Sequence, residues 1–544
     1  SGAERLMTRL VRGRRPVAVR GRTLRRVTGA DGTPPSMLLP TTPAFLHLQA
    51  QRRGEHGGLV FRGRRIPFGA LAAAVDELAT WLAARGVGAG QRVGIMAANE
   101  PAMIAACYAV WGLGATVVPI AVRSTAGESA LLLAHARAIA LLCDAARVDV
   151  ARDAAIDAGV PLFAVEPDLP LRPRIARRTL SRVAPARSPR PTDLAVLAYT
   201  SGTTGAPKGV MLPHGNLLWA ALACAGARGD SAESVGASIS PLTHTPVFVS
   251  HLLCRILCGS TTVLLERFDP PALFEAVEQF GVTDLPLIGG MVFDVVRLGS
   301  IPAAVRRTVR KVSVGGAPTP MSAKRDLARC FDGAEIIEAY GQTESTDGVT
   351  MARGTSVFDR PGTVGAPNPH IVVAIRHADG RRAEVDDEGE IVVGGPTVMS
   401  GYYRDRAASA AAVRDGWLHT GDRGRQDADG YVYITGRVKD LIITGGENVS
   451  PIEVEDALRA HPDIDDVAVI GTPHPKWGEQ VTAVVVRRSG AQLDADAVTA
   501  FVAARLAGFK KPRRVEFVDA LPRNAAKKVM TGVLKERFGG EKPL

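Results

Sequence analysis

Tyr199-Thr-Ser-Gly-Thr-Thr-Gly-Ala-Pro-Lys-Gly209 decides the reading of this chain. These eleven residues offer hydroxyls, flexible backbone and one cation, and almost nothing that packs a core. The apolar run Leu194–Ala198 just before them predicts a buried strand. A rigid element would then carry Thr200, Ser201, Thr203, Thr204 and Lys208 to the strand's C-terminal end, where α/β folds place their ligands. Gly202, Gly205 and Gly209 let backbone N–H groups come close to phosphate oxygens. The spacing is not that of the nucleotide-kinase loop G-x-x-x-x-G-K-[ST], because only two residues separate Gly205 from Lys208 and Gly209 stands where Ser or Thr is required. An ordinary kinase or GTPase is therefore disfavoured.

Outward from that loop, 544 residues at 46% hydrophobic and 22% charged are enough for several cores. The formal net charge of +11 is concentrated in Ser1–Arg26, where nine arginines face the single acid Glu4. The remainder is close to neutral, which argues against nucleic acid as a partner. The basic arm reads as a solvated, poorly ordered terminus, with peripheral membrane contact as the alternative. Ser1-Gly2 has the look of a cleaved-tag remnant. Pro101–Ile120 is uncharged and long, but Gly112 and Gly114 break it into a buried helix, Ala102–Trp111, and a strand, Ala115–Ile120. With no other span or secretory signal, a cytoplasmic location is expected. The six cysteines form no Cys-x-x-Cys framework and suit a reducing compartment. His251, Cys254 and Cys258 share a helical face, yet they sit in an apolar run without a fourth ligand, so packing is expected there and not zinc.

Strand-like runs at Arg92–Met96, Ala115–Ile120, Ala140–Cys143, Leu194–Ala198, Thr261–Leu265 and Lys311–Val314 alternate with Ala/Leu-rich helical segments. The fold class expected is α/β, with doubly wound α/β subdomains in a large N-terminal domain. From about residue 365, Asp379-Gly380, Glu388-Gly389, Asp415-Gly416 and Asp429-Gly430 predict tight turns in a β-rich subdomain. A small α+β unit follows, with helix Pro451–His461, strands Asp466–Ile470 and Val481–Arg487, helix Ala495–Leu506 and strand Arg514–Val518; the resemblance described next implies that it is mobile. The expected divisions are a basic arm over 1–40, a large N-terminal domain over 41–438 and a small C-terminal domain over 439–544.

Five separated motifs, in order, resemble the acyl-adenylate-forming superfamily of acyl-CoA synthetases, peptide-synthetase adenylation domains and luciferases. They are Tyr199–Gly209, Glu338-Ala-Tyr-Gly-Gln-Thr-Glu344, Trp417-Leu-His-Thr-Gly-Asp422, Gly436-Arg-Val-Lys-Asp-Leu-Ile-Ile-Thr-Gly-Gly-Glu-Asn448 and Pro522-Arg-Asn-Ala-Ala-Lys-Lys528. The resemblance spans about residues 45–535. It implies that a carboxylate is first joined to the α-phosphate of ATP with loss of pyrophosphate, and that a thiol then attacks the acyl-AMP. It further implies that the Thr200–Lys208 loop holds the β- and γ-phosphates, that Thr343 contacts the α-phosphate and that Glu344 helps hold Mg²⁺. Tyr340 would stack on adenine, flanked by Ala339 and Gly341, with Gly315, Gly316 and Ala317 over the other face. Asp422 and Arg437 would bind the ribose hydroxyls. Glu338 would accept from the adenine amino group, at a position where relatives often carry Asn or Gln. Lys528 would bridge carboxylate and α-phosphate, preceded by Lys527 where Gly is common. Lys439 would be the hinge, with Gly445 and Gly446 along the thiol path.

The same resemblance puts His244 as a gate beside the carboxylate and Val247, Phe248, Gly315, Gly316, Ala339, Gly341 and Val349 around the acyl group. None of these carries a charge to pair an α-ammonium, and no acid lies between His244 and His251, so an apolar fatty or aryl acid is expected and amino acids are not. Trp477-Gly478-Glu479 after Pro473-His-Pro475 resembles stand-alone CoA ligases, which makes CoA the expected acceptor. A carrier-protein phosphopantetheine stays open as an alternative, as does a catalytically silent nucleotide-binding protein. ATP, Mg²⁺ and CoA are thus the expected small molecules, and a homodimer is compatible with the sequence.

Overall fold

The computed structural model describes residues 41–165, 174–176, 187–201, 207–316, 319–437, 440–444, 447–523 and 529–539; for 174–176, Ser201 and Asn448 only the backbone is described. Three sheets organise them. The first has seven strands and a parallel centre, in the order Arg174–Ala176, Leu162–Val165, Ala140–Asp144, Arg92–Met96, Thr116–Pro119, Leu194–Ser201 and Pro207–Pro213, with an antiparallel strand at each edge. Its central strands are buried on both faces, and this is why they read as unbroken apolar runs.

The helix Pro101–Gly112 is buried along nearly its whole length. Pro101 stands in its first turn, where a missing N–H costs nothing, and Glu100 precedes it as the cap residue. Trp111 is 1% exposed, meets Phe248 and Tyr108 edge-on at 5.6 and 5.2 Å, and donates its indole N–H to Ala195 O at 2.8 Å. Each such aromatic side chain contributes roughly 1.5–3 kcal/mol by burial, and here the contacts also tie the helix to the strand that leads into the Thr/Gly loop.

A second sheet of fourteen strands contains the parallel run Thr261–Leu264, Val235–Ser238, Asp284–Ile288, Lys311–Gly315 and Glu335–Gly341. Past Glu335–Gly341 the pairing turns antiparallel and continues through Gly348–Arg353, Thr363–Pro367, Val432–Arg437, Trp417–Gln426, Gly389–Gly394 and Val372–Arg376. The β-rich region is therefore not set apart at the backbone level, because Thr363–Pro367 pairs on one edge with Gly348–Arg353 and on the other with Val432–Arg437. Three of the four expected turns carry their glycine at positive φ: Gly380, Gly416 and Gly430. Glu388-Gly389 does not. Gly389 opens a strand so close to its neighbour that a Cβ would lie 2.4 Å from Arg376 O, and Asp386 takes the left-handed turn position instead, at φ 66°.

The last unit has a five-stranded sheet in which Ile464–His474 and Gly478–Arg487 pair antiparallel over ten positions and Arg514–Phe517 joins in parallel. Helices Pro451–Arg459 and Ala495–Ala503 pack on it, the second capped by Asp494 through Ala497 N–H. Among the described residues no group of three or more His, Cys, Asp or Glu side chains could hold a metal; His251 and Cys254 are buried and Cys258 is half-buried. No helix among them is long and apolar enough to cross a membrane.

Candidate active site

The Thr/Gly loop lies at the tip of an antiparallel pair. Thr200 is opposite Lys208 and Ser201 opposite Pro207, so the strand expected to stop at Ala198 runs straight into the loop. Gly202, Thr203, Thr204 and Gly205 lie outside the described residues, as does the Ser201 side chain. The base of the pair is well anchored. Tyr199 OH shares a 2.7 Å hydrogen bond with His135 Nδ1, and Gly209 O accepts from Tyr403 N at 2.7 Å. A side chain at Gly209 would press within 3.3 Å of Tyr199, Tyr403 and Leu197, which is a concrete reason for glycine there.

Lys208 Nζ stands 5.1 Å from the centre of the Tyr402 ring, and Tyr402 OH donates to Glu344 Oε1 at 3.0 Å. One aromatic residue thus links the loop cation to the carboxylate expected to face the metal. The sequence reading missed Tyr402 because Gly401-Tyr402-Tyr403 carries no charge or spacing that marks chemistry. Thr343, Glu344 and Ser345 form a single 3₁₀ turn whose Ser345 hydroxyl bonds back to Gln342 and Asp347, holding the turn rigid. Glu344 is a half-buried oxygen donor. Mg²⁺ is commonly held by one or two carboxylates together with substrate phosphates, so a lone Glu344 beside a phosphate loop fits that ion.

The parallel strands Lys311–Gly315 and Glu335–Gly341 end side by side, with Gly315 opposite Ala339. Gly315 sits at φ 158° and Gly316 at φ 71°, and a Cβ on Gly315 would lie 2.5 Å from Ala339 O. Two glycines are needed for so close an approach. Tyr340 OH donates to Asp422 Oδ2 at 2.7 Å, and Arg437 Nε faces Asp422 Oδ1 at 3.1 Å. Asp422 is 5% exposed, so both carboxylate oxygens are oriented in a largely dry setting, and burial beside that carboxylate pushes the Tyr340 phenol well up. Strands Trp417–Gln426 and Val432–Arg437 put Asp422 and Arg437 directly opposite one another.

Glu338 is also buried, and its Oε2 faces Lys324 Nζ at 2.7 Å with both side chains 5% exposed. Sequence reading did not find Lys324, which lies fourteen residues away on helix Met321–Cys330. Burial raises the Glu338 carboxyl to about 7, against the lowering by Lys324. Breaking such a pair leaves an uncompensated buried charge, so Lys324→Met should cost about 3–5 kcal/mol of unfolding free energy, with much of it returned by adding Glu338→Gln. The folded carboxyl binds its proton more tightly than the unfolded one, whose value is roughly 4.3. Its ionisation is therefore a cost that is absent at low pH and grows as pH rises toward 7. Losing Lys324 deepens it, so the deficit measured by urea unfolding should be larger at about pH 8 than at about pH 5.

His244 is exposed at the head of a short helical turn, Thr245–Val247. The next six residues, Phe248–Leu253, wind as a π-helix, a local widening often found at functional sites. Val247, Phe248 and Val349 are buried in one apolar cluster with Leu217, Ala220, Ala221 and Cys224 of helix His214–Arg228. Ala339 and Gly341 lie at the end of strand Glu335–Gly341. A Cβ on Gly341 would lie 2.2 Å from Asp347 O. Ala317, Lys439, Gly445, Gly446 and Lys528 lie outside the described residues.

The family model described as AMP-binding enzyme matches residues 46–403, and the AMP-binding enzyme C-terminal domain matches residues 453–528. A feruloyl-CoA synthase from Amycolatopsis is 35% identical over 89% of this chain and 95% of its own length. An indoleacetate–CoA ligase from Aromatoleum aromaticum is 35% identical over 86% and 92%. Among solved structures, ATP-bound MatB from Rhodopseudomonas palustris is similar with a TM-score of 0.82 at 30% identity, covering 92% of this chain and 99% of that one. The o-succinylbenzoate CoA synthetase of Bacillus subtilis, in complex with its acyl-adenylate, gives 0.81 at 28% identity, covering 93% and 100%.

Proposed function

The chain belongs to the family of AMP-binding enzymes, and we propose that it is an AMP-forming acid–CoA ligase for an apolar aryl or alicyclic carboxylic acid. The observation that carries this reading is a pair of anchored groups at the end of strand Glu335–Gly341 and in the turn after it: Asp422 held by Tyr340 and Arg437, and Glu344 tied through Tyr402 to Lys208. The first suits a ribose and an adenine ring, the second a phosphate chain.

In this reading ATP lies with its base against Tyr340 and Gly315-Gly316 and its phosphates toward Lys208 and Thr343. Bound Mg²⁺ would neutralise phosphate charge, held by Glu344, whose orientation comes from the Tyr402 hydroxyl. Lys528 supplies positive charge where the acid's carboxylate meets the α-phosphate, and His244 stands at the mouth of the acyl pocket. Pyrophosphate leaves, the domain over 439–544 turns about Lys439 relative to 41–438, and the CoA thiol enters past Gly445-Gly446 to displace AMP. Relatives named for feruloyl, indoleacetyl and fused-ring propanoyl substrates support a ring-bearing acid, and a long-chain-fatty-acid–CoA ligase is similar as well. Cytoplasmic location, a homodimer and contact of the basic arm with a membrane surface belong to the same proposal.

A panel of fatty, aryl and alicyclic acids and amino acids of matched size tests it, with pyrophosphate and CoA thioester both measured. Apolar acids should support both products, and phenylalanine or leucine neither. Efficient amino-acid-dependent pyrophosphate exchange, or AMP formation without thioester, would overturn it. Ala339→Phe should cut kcat/KM for the largest accepted acids about tenfold or more while leaving the KM for ATP within about twofold, since one strand position is filled on the acyl side only.

A further inference from the structure

Asn99 stands two residues before the buried helix Pro101–Gly112 and is itself 2% exposed. Its side-chain amide reaches from the first sheet to the second. Nδ2 donates to Ser240 O at 2.8 Å and to Leu265 O at 3.2 Å, and Oδ1 accepts from Leu242 N at 2.8 Å. Ser240 and Leu265 lie just past the ends of the parallel strands Val235–Ser238 and Thr261–Leu264, so both amide donors are spent on the backbone of the second sheet. The anchor itself is firm. Ala98 N donates to Asp144 Oδ2 at 2.8 Å, Arg147 Nη1 is paired with the same oxygen, and the helix that follows Asn99 is buried from Pro101 to Trp111.

What the amide grips is the turn that carries His244. Ser240 and Leu242 flank Pro241, whose carbonyl accepts from His244 N at 3.0 Å, and His244 O accepts from Phe248 N at 3.0 Å. On the buried side of this turn, Leu242, Thr245 and Phe248 meet Met103, Cys107 and Trp111 around a cavity of about 10 Å³. The Thr245 hydroxyl is buried with no hydrogen-bond partner among the described residues. Apolar contact holds a segment down without giving it a direction, and a gap in the packing leaves it room to shift. The three hydrogen bonds of Asn99 supply the direction.

We propose that Asn99 is a positioning residue for the acid half of the reaction: its amide fixes the Ser240–Leu242 backbone and through it places His244 at the mouth of the acyl pocket. The proposal rests on the acid–CoA ligase reading and adds to it a residue outside the five motifs. Tyr340, Asp422 and Arg437 belong to other strands, so the nucleotide side is expected to be indifferent to Asn99. A residue that merely joined the two sheets would instead affect every step alike.

The test is a double-mutant cycle with His244, on the acid of the panel that wild type turns over best, with initial rates over acid and over ATP and a melting transition for each variant. Asn99→Ala should lower kcat/KM for the acid about tenfold or more, mainly through KM, and leave the KM for ATP within about twofold, because small misplacements near the reacting groups are felt on this scale. His244→Ala should show a similar loss, and adding Asn99→Ala to it should cost less than about twofold more. Asn99→Asp keeps the shape and the acceptor for Leu242 N but not both donors. It should fall between wild type and Asn99→Ala, and it takes that variant's place in the cycle if Asn99→Ala shows no melting transition. Additive losses in the double variant, an unchanged kcat/KM for the acid, or equal rises in the KM for acid and for ATP would overturn the positioning role while the ligase reading stands. If wild type adenylates no acid of the panel, that reading itself falls.

Discussion

Lys528→Ala should lower the rate of acyl-adenylate formation about a hundredfold or more while leaving conversion of supplied acyl-AMP to thioester nearly intact. The asymmetry follows from where charge develops. Joining a carboxylate to an α-phosphate brings two anions together, and a fixed cation between them stabilises that encounter, a contribution of about 3–4 kcal/mol for one preorganised electrostatic group. In the second half-reaction the carboxylate has become a mixed anhydride and the need is gone. Lys528 lies outside the described residues, but both ends of its segment are held. Arg523 and Val529 pair as an antiparallel bridge, Met530 N donates to Pro522 O at 2.8 Å, and Arg523 Nη2 meets Asp466 Oδ2 at 2.6 Å. Lys528 is thus the sequence neighbour of the described and anchored Val529. Lys527→Gly, which restores the residue common in relatives, should stay active. Single-turnover assays of the two half-reactions separate the outcomes, and equal loss of both in Lys528→Ala would remove Lys528 from this role.

The fold was legible where burial on both faces leaves an unbroken apolar run. Arg92–Met96 and Ala140–Asp144 are such strands, and their limits moved by a residue at most. Turn chemistry carried similar weight: Asp415 and Gly416 both take positive φ between Val413–Arg414 and Trp417–Gln426, as an Asp-Gly hairpin requires. Glu388-Gly389 misled because glycine there answers a close strand approach and not a left-handed turn, two needs that one letter cannot separate. The motif residues were legible as types, but their partners were not. Tyr402 and Lys324 lie 58 and 14 positions from the carboxylates they touch, and no local pattern couples them.

The second large effect expected is selective loss of the thiol step in Gly446→Leu. Gly445 and Gly446 connect strands Ile442–Thr444 and Glu447–Val449, whose ends are in register with Thr444 opposite Glu447. That hairpin is tied to the C-terminal sheet by Ile443 N donating to Glu479 Oε2 at 2.9 Å and by the pairing of Thr444 with Gly478. The two described strands of the hairpin belong to the C-terminal sheet, so under the proposed rotation they would travel with it. If one site hosts adenylation and then thiol attack from another direction, the tip matters only when the domain has turned, and a leucine there fills the thiol path without touching ATP or acid. Acid-dependent pyrophosphate release in a single turnover should stay within about twofold of wild type, while thioester formation should slow by about a hundredfold, the scale on which misplacing a reactant is felt. Lys439→Pro should produce the same split by another route, because proline fixes φ at the proposed hinge and removes a donor, which holds the adenylating arrangement. The two substitutions act by different physical routes, so a common phenotype would point to the motion they share. Equal loss of both half-reactions in Gly446→Leu, with an unchanged melting transition, would mean that the hairpin serves adenylation as well and that rotation does not separate the two steps.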